Sequence, residues 1–596
     1  MFFKTQPGAY HRKMRAAAEK AEEEAARPTA HSAFVIPDLL HRDPCLAIDG
    51  EALLDLLGLG FLGKDLGGAL HEALADSKVG NNGWPTEFFA NDLFISSFVA
   101  SWSRLDVGGR IYPANQAFLS KVLTDVPTDL DTIRLRQGIL TEIDEDPEMR
   151  DRFESLYQAL FTLLSLFETP GYQGSLDTAA IHLEILLHSK AIIDRMSEDF
   201  RSAKSALRRL HESGVATQAT PEYGTLAALL DYEQNMADLT LHVRIGGDGK
   251  IRAVKVGGVQ ENGSNPFHVK SWRRLTGRLR LLASGYDFTN KELMKRTVNE
   301  VFDQLAPSLI PLIQLLGHLE FYLCSLSFRS AAEARGLRVG LAILGESDTV
   351  ELDGLFNPLL MAQEEPPVPC SFSTKEPAAI TLVTGPNSGG KTRLLQALGW
   401  VQLLGQSGVY CPAARASLPL ANGLYVSLVE NDSADQIEGR LGRELVRIRS
   451  LFEEIRSGSV VIMDELCSGT NPSEGVEVFA LVLKLLRQVN PTAYVTTHFL
   501  DFARSLRDEP PIAALEFLHV ELDDNQLSTY QFVDGVAPTS LATLTAARLG
   551  VTFERLSAIL RERNEAEPPT STDQPAEEPR PQEKTSSTKP RSKPSV

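Results

Sequence analysis

A glycine-rich stretch at residues 385–392, GPNSGGKT, has residue types and spacing suited to holding phosphate. A glycine, four further residues and Gly-Lys-Thr form the phosphate-binding pattern GxxxxGK[ST]. Glycines let backbone N–H groups close around phosphate oxygens, and the N-terminus of a following helix adds positive partial charge. We expect Lys391 to reach the β- and γ-phosphates of ATP and Thr392 to hold Mg²⁺. We call this stretch the glycine loop and assign nucleotide binding to Gly385, Pro386, Asn387, Ser388, Gly389, Gly390, Lys391 and Thr392.

An acidic pair follows an apolar run in VVIMDE, residues 460–465. The run predicts a buried strand, Val460–Met463, and ligands bind at the carboxyl ends of strands in open α/β sheets. We expect Asp464 to hold the metal through water and Glu465 to orient and deprotonate the attacking water. An acidic pair that ends a strand could instead cap a loop.

A histidine ends a third apolar run in AYVTTHFLDF, residues 493–502. The run predicts a buried strand, and the order of strands in such a sheet would bring His498 near the γ-phosphate. We therefore predict a catalytic switch role for His498 beside the general base Glu465. A single histidine after a strand is more often structural, so this prediction depends on the other two elements.

The elements that must position these side chains form an α/β pattern. The apolar run Ile380–Val383 predicts a strand before the glycine loop, and RLLQALGWVQLLG at 393–405 predicts a helix after it. Together with the strand that ends in Asp-Glu and the strand that ends in Thr-Thr-His, this is the order found in ABC-type ATPases. We expect a C-terminal α/β P-loop ATPase domain.

The region upstream is predicted to be mainly helical with a small β insertion. FESLYQALFTLLSLF at 153–167 places apolar residues at i, i+3, i+4 and i+7, which predicts one buried stripe on a helix. Apolar and polar residues then alternate from Leu239 to Ile245, and GGDG and a β-rich run to Val256 follow. This pattern predicts a hairpin. A helical pattern resumes from about 290 to 334.

Composition limits the class of protein. A chain of 596 residues is too long for one core, and it has no apolar run of the roughly 18–20 residues that would span a bilayer. We find no signal peptide pattern and expect no membrane association and a cytoplasmic location. Five scattered cysteines lack metal-binding spacing, which suits free thiols. A net charge of −19 argues against a surface that coats nucleic acid as a whole, although a local basic patch remains compatible.

Several stretches together resemble the MutS family of DNA mismatch-repair ATPases, most strongly over about 340–560. They are GPNSGGKT, SGVYCPAARASL at 407–418, DELCSGTNPSEG at 464–475, TTHFLDF at 496–502 and YQFVDGVAPTSLATLTAARLG at 530–550. The resemblance implies the roles already given to the glycine loop, Asp464, Glu465 and His498. It also implies a homodimer with composite ATP sites, in which 468–470 would lie at the subunit seam and Gly535 and Ser540 in a C-terminal element that embraces the partner.

Composition and residue pattern indicate the terminal segments, and the resemblance implies the lever, the clamp and the ATPase domain. We expect an N-terminal helical arm at 1–29, a mostly helical unit of unknown role at 30–125, and a helical lever and core at 126–336. Within the lever, a clamp that touches DNA would account for the hairpin at about 238–256. The ATPase domain would occupy 337–560, and the tail at 561–596 is too poor in apolar residues to fold, most clearly from about Pro568.

The chain departs from the family pattern at three places. TEFFAND at 86–92 does not supply the Phe-x-Glu wedge that reads mismatches, since its phenylalanines follow the glutamate. The family has a signature that acts on the ATP site of the partner subunit and contains a serine. At the position of that serine this chain has Gly439 or, in a second alignment register, Leu441. The tail lacks the histidine and glycine motifs of the small nuclease domain found on some relatives.

The best candidate for DNA contact is the basic cluster around Trp272, in HVKSWRRLTGRLRLL at 268–282. Its members are Lys270, Arg273, Arg274, Arg278 and Arg280. An exposed helix face balanced by nearby acids would give the same pattern. The leading hypothesis is an ATP-dependent protein that opens and closes on duplex or branched DNA, and the alternative is an assembly or signalling ATPase that grips a protein. An ABC transporter subunit is disfavoured because no LSGGQ-like signature is present.

Overall fold

The computed structural model describes residues 36–44, 83–168, 178–230, 238–245, 251–260, 288–386, 389–428, 440–467, 471–538 and 550–566. The chain forms two compact units, Met1–Ser540 and Leu541–Val596. The predicted arm at 1–29, the basic cluster around Trp272 and the tail beyond Ala566 lie outside the described residues. Within those residues the chain is mixed α/β, and none of their helices is long and apolar enough to cross a membrane.

The first described elements combine helices with a hairpin. They are α1 (Ile95–Trp102), β1 (Arg104–Val107), β2 (Arg110–Pro113) and α2 (Gln116–Thr124). The strands pair antiparallel with Val107 opposite Arg110, so the loop is Gly108-Gly109, and both glycines have positive φ, +61° and +78°. This is the backbone of a type I′ turn. The sequence reading of 30–125 as mostly helical did not include this hairpin, although the Gly-Gly pair is a recognised hairpin signal.

A bundle of helices follows. Its members are α3 (Leu130–Glu145), α4 (Pro147–Glu168), α5 (Thr178–Asp199), α6 (Arg208–Gln218) and α7 (Pro221–Leu230). The apolar stripe predicted on α4 is buried at each of its positions, Phe153, Leu156, Tyr157, Leu160, Leu163, Leu164 and Phe167. Helix α4 begins with a proline, and the preceding Asp146 accepts hydrogen bonds from the backbone N–H groups of Glu148 and Met149 at 3.0 and 3.1 Å.

The predicted hairpin and long helix are both present. Strands β3 (Asp238–Ile245) and β4 (Ile251–Gln260) pair antiparallel, and α8 spans Phe288–Ala334. Two polar residues that interrupt the apolar pattern of α8, His318 and Glu320, are fully buried. Glu320 accepts a hydrogen bond from the backbone N–H of Asn115 at 2.9 Å. These polar side chains therefore attach α8 to the N-terminal elements.

The remaining strands form two sheets. In chain order they are β5 (Ile343–Leu344), β6 (Glu351–Leu355), β7 (Cys370–Ser373), β8 (Ile380–Thr384), β9 (Arg415–Leu418), β10 (Leu424–Ser427), β11 (Val460–Met463), β12 (Thr492–Thr496), β13 (Leu515–Leu522) and β14 (Ser528–Asp534). The smaller sheet has the order β5-β9-β6-β7. The larger sheet has the order β10-β11-β12-β8-β13-β14 and is parallel except for the last strand.

Helices connect and cover the larger sheet. They are α9 (Lys391–Gln406), α10 (Arg440–Glu454), α11 (Pro472–Val489) and α12 (Leu500–Asp508), and the second unit contains α13 (Phe553–Ala566). Every residue of β8, β11 and β12 is buried, as expected for central parallel strands covered on both faces. The strands predicted before the glycine loop and before Asp464 are confirmed. Their carboxyl ends lie at one edge of the sheet, where the candidate site is built.

Candidate functional site

The glycine loop connects β8 to α9, and two of its glycines have conformations and neighbours that exclude a side chain. Gly385 has φ +143°, and a Cβ there would lie 2.8 Å from a methyl of Val520. Gly390 has φ +89° immediately before α9, and a Cβ there would lie 3.1 Å from the ring of Tyr530. The backbone therefore approaches its neighbours closely at both ends of the loop. Gly389 and Pro386 are also described, whereas 387–388 lie outside the described residues.

The loop lysine is buried and faces the loop. The ammonium group of Lys391 donates hydrogen bonds to the carbonyl oxygens of Gly385 and Pro386, both at 3.0 Å. Burial lowers the pKa of Lys391, and the nearby carboxylates of Glu465 and Asp464 oppose that shift. A cation thus lies across the loop at the carboxyl edge of the sheet.

The two predicted metal ligands are in contact. The hydroxyl of Thr392 donates to Oδ2 of Asp464 at 2.5 Å, although the residues are 72 positions apart in the chain. The hydroxyl of Thr496 donates to Oδ1 of the same carboxylate at 2.5 Å. Thr392 is the second residue of α9 and Thr496 the last of β12, so Asp464, which directly follows β11, lies between them. Hydroxyl and carboxylate oxygens are the hard ligands that Mg²⁺ prefers.

The predicted general base has a strained backbone. Glu465 has φ +47° and Cys467 has φ +61°, both in the left-handed region that non-glycine residues seldom adopt. Two hydrogen bonds hold this turn. The N–H of Glu465 donates to Oγ1 of Thr496 at 2.7 Å, and the N–H of Cys467 donates to the carboxylate of Glu444 at 2.5 Å. Surrounding side chains therefore fix the direction in which Glu465 leaves the strand.

The predicted switch histidine lies at the same edge of the sheet. His498 follows β12, which pairs with β8 such that Thr496 is opposite Val383. The imidazole is exposed and packs against the ring of Phe499 with 4.3 Å between centroids. The structure thus places His498 at the edge that carries the glycine loop.

A cavity of about 620 Å³ adjoins the start of α9. Gly390, Lys391 and Thr392 line one side, and Phe356, Asn357 and Tyr530 are among the residues that line the rest. Buried Asn357 donates to the carbonyl of Arg393 at 3.1 Å and to Oε1 of Gln396 at 2.9 Å, which fixes the adjoining loop on α9. A cavity of this size can accept a nucleoside-sized group.

Sequence reasoning did not identify every residue of this site. Thr496, Glu444 and Tyr530 contact it from other elements, and no role was predicted for them, although Thr496 belongs to the Thr-Thr-His motif and Tyr530 to the stretch at 530–550. Some predicted residues lie outside the described ones, namely Asn387, Ser388, Gly439, 468–470 and Ser540. Gly535, at the end of β14, has φ +122° and donates its N–H to the carbonyl of Phe517 at 2.9 Å.

Comparison with known proteins finds similarity over the C-terminal region. The model of MutS domain V matches residues 381–557. Endonuclease MutS2 of Streptococcus uberis is 30% identical over 240 residues, which are 40% of this chain and 29% of that protein. Endonuclease MutS2 of Thermus thermophilus is 31% identical over 304 residues, 50% of this chain and 38% of that protein. The chain thus spans less than half the length of these curated relatives. The match to MutS domain V and these similarities support membership of the MutS family.

Proposed function

We propose that this chain is a Mg²⁺-dependent ATPase whose C-terminal region has the ABC-type P-loop arrangement. The observation that carries the proposal is the contact between Thr392 and Asp464. It joins the hydroxyl that follows the loop lysine to the acidic strand end, which is the pairing that Mg²⁺-nucleotide sites of this type require. The match to MutS domain V supports the same reading.

The donor atoms fit the proposed ligands. Thr392 and Asp464 offer a hydroxyl and a carboxylate within 2.5 Å of each other, and the glycine loop offers backbone N–H groups with a buried ammonium. Thr392 and Asp464 would hold Mg²⁺, which would supply positive charge that stabilises phosphoryl transfer. The cavity beside Tyr530 would receive the nucleoside.

Each chemical role goes to a group already at the sheet edge. Lys391 would exchange the carbonyl oxygens of the loop for phosphate oxygens, which are stronger acceptors because they are charged. Glu465 would accept a proton from the attacking water, with its backbone held by Thr496. His498 would contact the γ-phosphate from the end of β12 and report whether it is present.

We further propose that ATP hydrolysis opens and closes a homodimer on duplex or branched DNA, in mismatch repair or related DNA metabolism. Under this proposal the helices of 126–336 are levers, the hairpin β3–β4 is a clamp, and 337–560 is the ATPase domain. Lys270, Arg273, Arg274, Arg278 and Arg280 would contact DNA phosphates. The support is the match to MutS domain V and the names of the relatives.

The alternative is an ATP-driven assembly or signalling protein whose levers grip another protein. The net charge of −19 favours it, because such a chain repels nucleic acid outside local basic patches. Gel-shift experiments with linear, mismatched and four-way DNA, with and without an ATP analogue, distinguish the two. DNA binding that weakens with salt is expected, and its absence on every substrate would reject DNA as the partner.

The ATPase proposal has its own test. Purified full-length chain should release phosphate from ATP with Mg²⁺ and stop when EDTA removes the metal. Absence of turnover with Mg²⁺ would reject the proposal regardless of the result with DNA.

A further inference from the structure

The stretch TEFFAND, at 86–92, contacts β10 and α10, two elements that support the candidate ATPase site. We propose that Asp92 in this stretch is a positioning residue for ATP hydrolysis, acting on Asp464 and Glu465 through β10 and α10. The inference rests on the proposed ATPase function. It gives a role to a segment whose sequence suggested none.

Three successive residues at the end of β10 connect the elements involved. The carbonyl of Val426 accepts from the guanidinium of Arg447 at 3.0 Å. The carbonyl of Ser427 accepts from the N–H of Asp464 at 2.9 Å. The N–H of Leu428 donates to Oδ1 of Asp92 at 2.7 Å. The Ser427 carbonyl and the Leu428 N–H belong to one peptide group, so Asp92 and the backbone N–H of the proposed metal ligand Asp464 bind opposite ends of the same peptide unit.

Asp92 also holds helix α10. Its Oδ2 accepts a hydrogen bond from Arg447, one helical turn beyond Glu444. Glu444 in turn accepts from the N–H of Cys467 in the strained turn after Asp464. Residues three apart lie on the same face of a helix, so Arg447 and Glu444 fix one face of α10 at two points. One point is Asp92, and the other is the turn that carries Glu465.

The segment around Asp92 provides a rigid support. Asp92 is only 4% exposed, and neighbouring Leu93 is fully buried. Leu93 packs so closely on α9 that a Cβ at Gly399 would lie 2.7 Å from its methyl group. Phe88 packs on Tyr425 of β10 with 5.2 Å between ring centroids. The same segment therefore touches α9, which carries Lys391, and α10, which holds the turn of the general base.

The expected consequence separates binding from turnover. Without the Asp92 carboxylate, Arg447 loses a charged partner, and the face of α10 that carries Arg447 and Glu444 is held less firmly. The Glu444 contact then holds Cys467 and Glu465 less firmly. Lys391 keeps its contacts with the glycine loop, so nucleotide affinity should remain.

The decisive variants are Asp92→Asn and Asp92→Ala in the full-length chain. Asn keeps an acceptor for Leu428 and loses the charge opposite Arg447, whereas Ala loses both. We expect Asp92→Asn to lower kcat about tenfold, equivalent to about 1.4 kcal/mol, and Asp92→Ala to lower it further. ATP affinity should change less than about twofold. The matched control is Glu453→Gln, which breaks the exposed Arg449–Glu453 pair on the same helix and should leave kcat unchanged.

A double-mutant cycle and amide exchange give readouts that general destabilisation would not reproduce. Asp92→Asn with Arg447→Gln should lose no more activity than the more damaging single variant, since both remove one pair. In the nucleotide-free chain, Asp92→Asn should reduce exchange protection of 440–454, whereas Glu453→Gln should not.

The outcomes are separable from those of the ATPase proposal. If the wild type hydrolyses ATP and Asp92→Ala does so at the same rate, the positioning role is wrong. Equal losses of ATP affinity and kcat in the Asp92 variants would also overturn the positioning role. If the wild type has no turnover, the ATPase proposal fails, while unchanged exchange protection in Asp92→Asn would independently show that Asp92 does not hold α10.

Discussion

Thr496 gives the sharpest test of the site because one hydroxyl connects both acidic residues. Its Oγ1 donates to Asp464 and accepts from the N–H of Glu465, and the residue is fully buried. Thr496→Val replaces the hydroxyl with a methyl of nearly the same size. The change should therefore remove both hydrogen bonds without creating a cavity.

The magnitude follows from the groups that lose their partner. A hydrogen bond to a charged group contributes about 1.5–3 kcal/mol net. If that energy serves to orient Asp464, its loss lowers kcat by about 10- to 150-fold. Leaving the N–H of Glu465 unpaired should also lower the free energy of unfolding by about 1–3 kcal/mol.

Thr381 in the neighbouring strand β8 is the matched control. It is 1% exposed, and within the described residues its hydroxyl has no hydrogen-bond partner. Thr381→Val should therefore leave kcat unchanged and slightly raise stability, because an unpaired buried hydroxyl is removed. Phosphate release and urea unfolding measure the two quantities. Turnover within about twofold of wild type in Thr496→Val, or an equal loss in Thr381→Val, would refute the reasoning.

Three further predictions follow from the described contacts. Lys391→Ala should abolish nucleotide binding, measured with a fluorescent ATP analogue, and wild-type affinity would contradict the role of the lysine. Glu465→Gln should bind ATP, fail to hydrolyse it and accumulate as a dimer in size-exclusion chromatography, so unchanged turnover would contradict the role of the base. Burial lowers the pKa of His318 from 6.5 to about 4. Between these two pH values the unfolded chain binds more protons than the folded chain. The free energy of unfolding should therefore fall as the pH falls from 6.5 to about 4. The difference in unfolding free energy between wild type and His318→Gln should shrink as the pH falls over that range. A constant difference would contradict the lowered pKa of His318.

The local elements of the candidate site could be predicted from the sequence. The glycine loop, the strand Val460–Met463 and the strand before His498 are contiguous segments, and their spacing and hydrophobic pattern indicate them without knowledge of the rest of the chain. The buried stripe of α4 was predictable for the same reason, since helix periodicity depends only on neighbouring residues. The hairpin at Gly108-Gly109 was also local and was missed.

The contacts between distant segments could not be predicted in this way. Thr392 and Asp464 are 72 positions apart, and Asp92 is 336 positions from Leu428. Nothing in the local pattern of TEFFAND distinguishes an aspartate that supports β10 from one that faces water. The same is true of Glu320 in α8, which reads as an interruption of an apolar helix and is a buried acceptor for Asn115.

The sequence by itself determined the strands, the helix and the phosphate-binding loop that carry the candidate site, because propensity, periodicity and glycine conformation act over a few residues. Only the tertiary structure decided which side chains meet at the carboxyl edge of the sheet and which N-terminal residues hold them. The physical reason is that a buried carboxylate or backbone N–H must find a partner, and packing of the whole chain determines which distant group supplies it.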